Sequence, residues 1–282
     1  MLAPDPHISN VPDLNRRIAA LPKRAWGRVW LIGAGPGDPD LITVAGQKLI
    51  RSADVVVHDR LGAPALLVEC RPDALKIDVG KRAGRHTLPQ SGINTLLAQH
   101  AMAGRNVVRL KGGDPFIFGR GGEEMMMLRR LGIQVDVVPG VTAASACAAA
   151  TGIPLTHRGL ASEVSMIAAC HREGAPGCDW AQLAAQRDRT LVFYMGLSQA
   201  RQISEGLLGH GLPGNTPVAL VSNGGTAEQE ALCCTLDTLP QAAYSAKLAS
   251  PCLIVVGAVV NLAHPQRVSQ HGLAKEVALW AA

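Results

Sequence analysis

The chain has 282 residues, of which 48% are hydrophobic, 17% charged and only 3% aromatic, with seven cysteines and a formal net charge of +5. That balance excludes an intrinsically disordered chain, whose apolar content is low and whose charge is high, and it argues against a nucleic-acid partner, because bases would find few rings to stack on. No run of about 18 apolar residues exists to span a bilayer, since VTAASACAAATGIPL is interrupted by Gly152 and Pro154.

The N-terminal stretch MLAPDPHISNVPDLNRRIAALPKR carries acids, prolines and only a short IAAL. It lacks the basic start and apolar stretch of a signal peptide, so no membrane partner and a cytoplasmic location are expected. The cysteines (70, 147, 170, 178, 233, 234 and 252) are odd in number and form no CxxC pair, which fits reduced thiols better than a disulfide framework. Cys170 and Cys178 flank His171, but zinc needs four ligands at tighter spacings, so they read as loop or core thiols and no metal is expected.

At this length two domains are the default. Short apolar runs, each followed by turn residues, recur at VWLIG (29–33), DVVVHD (54–59), LKIDVG (75–80), NVVRLKG (106–112) and IQVDVVPG (133–140). They predict strands buried on both faces. Helical patterns lie between them at LITVAGQKLIRSA, PALLVEC, INTLLAQHAMAG and GGEEMMMLRRLG, an alternation that predicts a largely parallel sheet covered on both sides. Beyond residue 140 come a small-residue helix, VTAASACAAATG, then strands at EVSMIAAC, RTLVFYMG, TPVALVS and PCLIVVGAVV, with helices at 179–186 and 197–210. The predicted organisation is an N-terminal extension over 1–27, one α/β domain over 28–141 and a second over 142–282.

Two predicted strands end in similar loops, GAGPGDPD (33–40) and KGGDP (111–115). In each, Asp38 or Asp114 is placed to cap a helix N-terminus, with Pro39 or Pro115 at the first helical position. Open α/β sheets bind ligands beyond the carboxyl ends of their strands, and bare glycine backbone there lets a ligand approach closely. GAGPG departs from the G-x-G-x-x-G of dinucleotide folds, and neither Asp54 nor Asp59 stands where a ribose-binding acid belongs, so a nicotinamide cofactor is the weaker reading. Residues 51–130 hold thirteen Lys and Arg against eight Asp and Glu. Arg60, Lys81, Arg82, Arg120 and Arg158 come from four separate turns and together suit a polyanionic ligand.

Taken in order, GAGPGDPDLIT, VVVHDRL, VRLKGGDPFIFGRGGEE, VVPGVTAASA, GIPLTHRG, YMGL and TPVALVSNGGT resemble the signatures of the uroporphyrinogen-III C-methyltransferases over residues 28–262. The resemblance implies two α/β/α lobes of the tetrapyrrole (class III) methyltransferase type, an active site in the cleft between them and a homodimer; at this length no fused dehydrogenase or chelatase domain is expected. It implies S-adenosylmethionine as cofactor, released as S-adenosylhomocysteine, and two methyl transfers that take uroporphyrinogen III through precorrin-1 to precorrin-2, which feeds sirohaem, cobalamin or haem d1. The implied cofactor contacts are Pro36, Gly112, Gly113, Asp114, Ile117, Thr142, Ala143, Met195 and Gly224. Asp59 is implied as proton acceptor and Lys81 as proton donor, with Arg60, Arg120, Glu123, Arg158 and Met195 around the macrocycle. Arg120 lies near the reacting face, but a guanidinium is a poor base; it reads as a catalytic carboxylate anchor, with the identity of the base open. A methyltransferase for a later corrin precursor and a noncatalytic tetrapyrrole carrier are the remaining alternatives.

Overall fold

The computed structural model describes residues 26–59, 64–80, 88–169, 177–264 and 268–270. Arg60, Lys81, Arg82, Cys170, His171 and almost all of the predicted N-terminal extension lie outside them. The chain divides into two compact units, Met1–Val141 and Thr142–Ala282.

In the first unit, β1 (Val29–Gly33), β2 (Val55–His58), β3 (Leu75–Asp78), β4 (Val107–Lys111) and β5 (Val135–Val138) form a parallel sheet in the order β3-β2-β4-β1-β5. Its helices are α1 (Val44–Ser52), α2 (Gln90–Met102) and α3 (Gly121–Arg130). Side chains alternate across the sheet. Val29, Leu31, Val55, Val57 and Val107 pack with Ile93, Leu97 and Leu128 of α2 and α3. Ile32, Val56, Val108 and Leu110 pack instead with Ile50 of α1 and with Leu66. Covering both faces is why these strands read as unbroken apolar runs.

Two expectations for this unit need correction. β3 is an edge strand with three of its four residues exposed, and charged Lys76 and Asp78 suit an edge that must not pair with another chain. PALLVEC forms a 3-10 helix over Pro64–Glu69.

The second unit contains β6 (Glu163–Ala168), β7 (Arg189–Tyr194), β8 (Pro217–Ser222), β9 (Glu230–Thr235), β10 (Cys252–Val256) and β11 (Ser269–Gln270), in the order β11-β9-β8-β10-β7-β6. The sheet is mixed: β6 and β7 pair parallel, as do β9 and β11, while β10 runs antiparallel to β7 and β8, and β8 to β9. Its helices are α4 (Ala143–Thr151), α5 (Trp180–Ala184), α6 (Ala200–Gly209) and α7 (Leu239–Ser245). The sequence pattern lacks β9, β11 and α7, and it extends the PCLIVVGAVV strand through residues 258–260, where the chain enters a 3-10 helix, Ala258–Leu262. Among the described residues no helix is long and apolar enough to cross a membrane.

Candidate functional site

Beyond the carboxyl ends of β1 and β4 the two glycine-rich loops are bonded to each other. Gly113 N–H donates to Gly35 O at 2.7 Å, Gly35 N–H to Gly113 O at 3.2 Å, and Ala34 N–H to Lys111 O at 2.7 Å. The loop after β5 joins them, because Gly140 N–H donates to Asp114 Oδ2 at 3.0 Å. A Cβ on Gly33 would lie 2.6 Å from both Gly140 Cα and Gly113 O, so three loops stack backbone on backbone. Gly113 has φ +66°, a left-handed conformation open to glycine at little cost. Bare backbone here therefore serves the fold before any ligand.

Asp38 caps a 3-10 helix, Pro39–Leu41, accepting from Asp40 N–H at 2.9 Å. Asp114 does not cap a helix, contrary to expectation. Its Oδ1 accepts from Phe116 N–H at 2.8 Å and its Oδ2 from Gly140, because the chain turns through residues 114–120 before α3 begins at Gly121. Within that turn Phe116, Ile117 and Phe118 are exposed despite being large and apolar, and Phe118 and Arg120 both have positive φ.

Alternation also brings charge into this unit's interior. Arg109 and Lys111 follow Val107 on the sheet face covered by α3, and Asp59 follows Val57 on the same face. Glu124, on α3 and 0% exposed, accepts from Arg109 Nε at 3.2 Å, Lys111 Nζ at 3.2 Å and Gln90 Nε2 at 3.0 Å, all on Oε1. Its Oε2 lies 3.2 Å from Lys111 Nζ without hydrogen-bond geometry. Arg109 Nη2 donates to Asp59 Oδ1 at 2.5 Å. Burial, reinforced by neighbouring Arg109, pulls the Lys111 ammonium below its ordinary value.

Sequence reasoning missed Arg109, Lys111 and Glu124. The available signal was two cations spaced i, i+2 inside a strand expected to be buried on both faces, which demand a buried anion.

Arg120 and Glu123 form a bidentate pair, Nε to Oε1 at 2.9 Å and Nη2 to Oε2 at 2.6 Å. Donating to the Glu123 carboxylate pushes the Arg120 guanidinium further up from its ordinary value, which suits a fixed cation and removes it as a base. Asp59 is partly exposed and hydrogen-bonded through its own N–H to Leu110 O at 3.1 Å, so it stands alongside the end of β4, the strand that leads into the Gly112-Gly113-Asp114 turn.

In the second unit, Thr142 Oγ1 and Tyr194 Oη are 2.7 Å apart, and Ala144 N–H donates to Tyr194 Oη at 3.0 Å. Tyr194 thus organises the start of α4, whereas the YMGL motif singles out only Met195, as a ligand contact. Met195 is exposed with φ 56°. A Cβ on Gly224 would collide with Cys147 Sγ, so its bareness accommodates α4. Arg158 is exposed in the turn that His157 and Ala161 close by a bridge. Among the described residues no group of three or more His, Cys, Asp or Glu could hold a metal ion.

A parallel sheet with interlocked glycine-rich loops at its strand ends, in a chain that also carries a second, mixed α/β unit, is the arrangement in which open α/β proteins bind ligands. Residues 28–240 match the family model of the Tetrapyrrole (Corrin/Porphyrin) Methylases, and the chain belongs to that family. It is 50% identical over 249 residues to a siroheme synthase of Ectopseudomonas mendocina, covering 88% of this chain and 54% of the relative. It is 53% identical over 236 residues to siroheme synthase 2 of Yersinia enterocolitica, covering 84% and 49%. The chain therefore spans about half the length of the curated relatives it matches. The crystal structure of uroporphyrin-III C-methyl transferase from Thermus thermophilus, complexed with S-adenyl homocysteine, superposes with a TM-score of 0.72 at 38% identity, covering 84% of this chain and all of that one. A cobalt precorrin-4 methyltransferase superposes at 0.75 and 29% identity, covering 86% and 99%.

Proposed function

We propose that the chain transfers methyl groups from S-adenosylmethionine to carbon atoms of uroporphyrinogen III, giving precorrin-1 and then precorrin-2. The observation that carries this reading is a partly exposed carboxylate, Asp59, held in the first unit against the end of β4, the strand that leads into the locked Gly112-Gly113-Asp114 turn. The family supplies the tetrapyrrole class, and the similarity to a uroporphyrin-III methyl transferase supports the particular substrate.

The first unit's residues fit the cofactor by their chemistry. Exposed apolar Ile117 beside glycine backbone suits an adenosyl group, and Pro36, Gly112 and Gly113 line the same interlocked loops. Each Asp114 oxygen accepts one internal bond, which holds the carboxylate in place beside the loops, and we assign Asp114 a cofactor contact as well. In the second unit we assign cofactor contacts to Thr142, Ala143, Met195 and Gly224. When bound, S-adenosylmethionine supplies an electrophilic sulfonium methyl group.

The nucleophile is a pyrrole carbon of the substrate, so the chain needs no Ser or Cys nucleophile. Its task is orientation, which supplies roughly 7 to 11 kcal/mol in well-aligned reactions. Arg60, Arg120 and Arg158 anchor the substrate's carboxylates, where a guanidinium fork gives bidentate, charge-assisted bonds. Glu123 holds the Arg120 fork in place and, with Met195, borders the macrocycle. Methyl transfer leaves the ring cationic, and Asp59 accepts the proton that then departs a bridging carbon. Lys81, outside the described residues, is assigned as proton donor. The enzyme acts as a cytoplasmic homodimer on a route to sirohaem, cobalamin or haem d1.

The reading is tested by titrating the chain with S-adenosylhomocysteine in a calorimeter and assaying methyl transfer by the Asp59→Asn variant. Binding should persist while turnover falls by about 100-fold or more, the usual worth of a positioned base. Unchanged turnover would remove Asp59 from the mechanism.

A further inference from the structure

We propose that Arg109 is a positioning residue for the reaction, holding the Asp59 carboxylate in place from inside the core. The proposal rests on the reading of Asp59 as proton acceptor. Arg109 is 2% exposed and so cannot touch a substrate. Every other bond it makes runs to a fixed part of the core. Nε donates to Glu124 Oε1 at 3.2 Å, and Nη1 donates to Val57 O at 3.4 Å and Leu110 O at 3.2 Å, on β2 and β4. Only Nη2 points outward, to Asp59 Oδ1 at 2.5 Å.

This arrangement makes a rigid rod with one functional end. Asp59 is 31% exposed at its side chain, whereas Arg109 and Glu124 are at 2% and 0%, so the line runs from the core to the surface. Fixing Oδ1 leaves Oδ2 to take the departing proton in one orientation. Glu124 serves as the anchor that keeps the guanidinium from rotating, and a guanidinium is suited to this because its planar fork addresses several acceptors at once while its charge is permanent.

Stability does not account for the arrangement. Buried ion pairs are matched or bettered by well-packed apolar residues of the same volume, and the flanking positions Val107, Val108 and Leu110 of the same strand are fully buried apolar residues. A strand that could have been uniformly apolar instead carries a cation aimed at the proposed proton acceptor.

The test is a double-mutant cycle on the full chain, with Asp59→Asn, Arg109→Gln and the combination, read as kcat, KM for uroporphyrinogen III, S-adenosylhomocysteine affinity and the isotope effect of deuterium at the bridging carbons. Arg109→Gln should lower kcat by at least about tenfold, leave KM and S-adenosylhomocysteine affinity within about twofold, and enlarge the isotope effect as proton removal becomes limiting. In the Asp59→Asn background it should lower kcat no further, since residues acting as a unit are non-additive. If Arg109→Gln does not fold, Arg109→Lys decides: it keeps the charge facing Glu124 but cannot hold both carboxylates, so kcat should fall and the isotope effect rise. If Asp59→Asn is inactive while the folded Arg109 variant keeps normal kcat and isotope effect, or if the two losses simply multiply, the inference is overturned and the reading of Asp59 stands. If Asp59→Asn retains full activity, the reading itself fails and the inference with it.

Discussion

The two units bury polar groups of different kinds. Among the described residues, those buried in the first are His58, Arg109, Lys111 and Glu124, whereas those in the second are Thr151, Thr190, Ser204 and Ser222. The second unit satisfies most of its hydroxyls with backbone carbonyls: Thr151 Oγ1 to Cys147 O at 2.7 Å, Ser204 Oγ to Leu236 O at 2.6 Å, and Ser222 Oγ to Ala249 O at 2.6 Å. Its deeply set cation, Arg189, pairs outward with exposed Glu163 at 3.2 Å. Hydroxyls bonded to carbonyls are inexpensive to bury, but ions are not. The difference teaches where the molecule accepts an energetic cost: beside Asp59 and the Gly-Gly-Asp turn.

The widest gap between the units should appear when a buried ion loses its partner. Glu124→Ala leaves Arg109 and Lys111 without the anion they share, and should destabilise the chain by about 3 to 5 kcal/mol, measured by urea denaturation. A loss near zero would mean that the buried charges are solvated and the contrast is false.

A smaller effect is expected from steric change in the second unit. Gly224→Ala drives a methyl group into Cys147 Sγ and should cost about 1 to 3 kcal/mol. Adding Cys147→Ala should recover most of that loss in thermal melts. Failure to recover would place the strain elsewhere.

Removing a hydroxyl should cost less again. Ser204→Ala deletes one bond to Leu236 O and should lower stability by about 1 kcal/mol, well short of Glu124→Ala in the same denaturation assay. Equal losses would erase the distinction between the units.

The last contrast concerns reactivity. Burial pushes the Cys147, Cys234 and Cys252 thiols up to about 12, and thiolate is the reactive form. Iodoacetamide near neutral pH should leave all three unlabelled in the folded chain, as read by peptide mass, and should label them after denaturation.

Much of the first unit was legible because strands covered on both faces leave continuous runs such as VWLIG and VVVH. The second unit was less so. β9, EALCCT, has no β-branched residue before its final threonine and pairs antiparallel with β8, so its structure depends on a neighbour rather than on its own pattern. At the candidate site, motif order singled out the loops but not their internal wiring. Glu123 and Glu124 are adjacent and chemically alike, yet their side chains are 56% and 0% exposed. The helix face alone decides which one meets the sheet. Asp114 and Asp38 share a Gly-Asp-Pro context, but only Asp38 precedes a helical turn.

The most direct test of the proposed function is to incubate the purified chain with anaerobically generated uroporphyrinogen III and labelled S-adenosylmethionine, and to count methyl groups per macrocycle by mass. The account predicts two. A macrocycle recovered with none, from protein that binds S-adenosylhomocysteine, would contradict it and assign the chain a different tetrapyrrole.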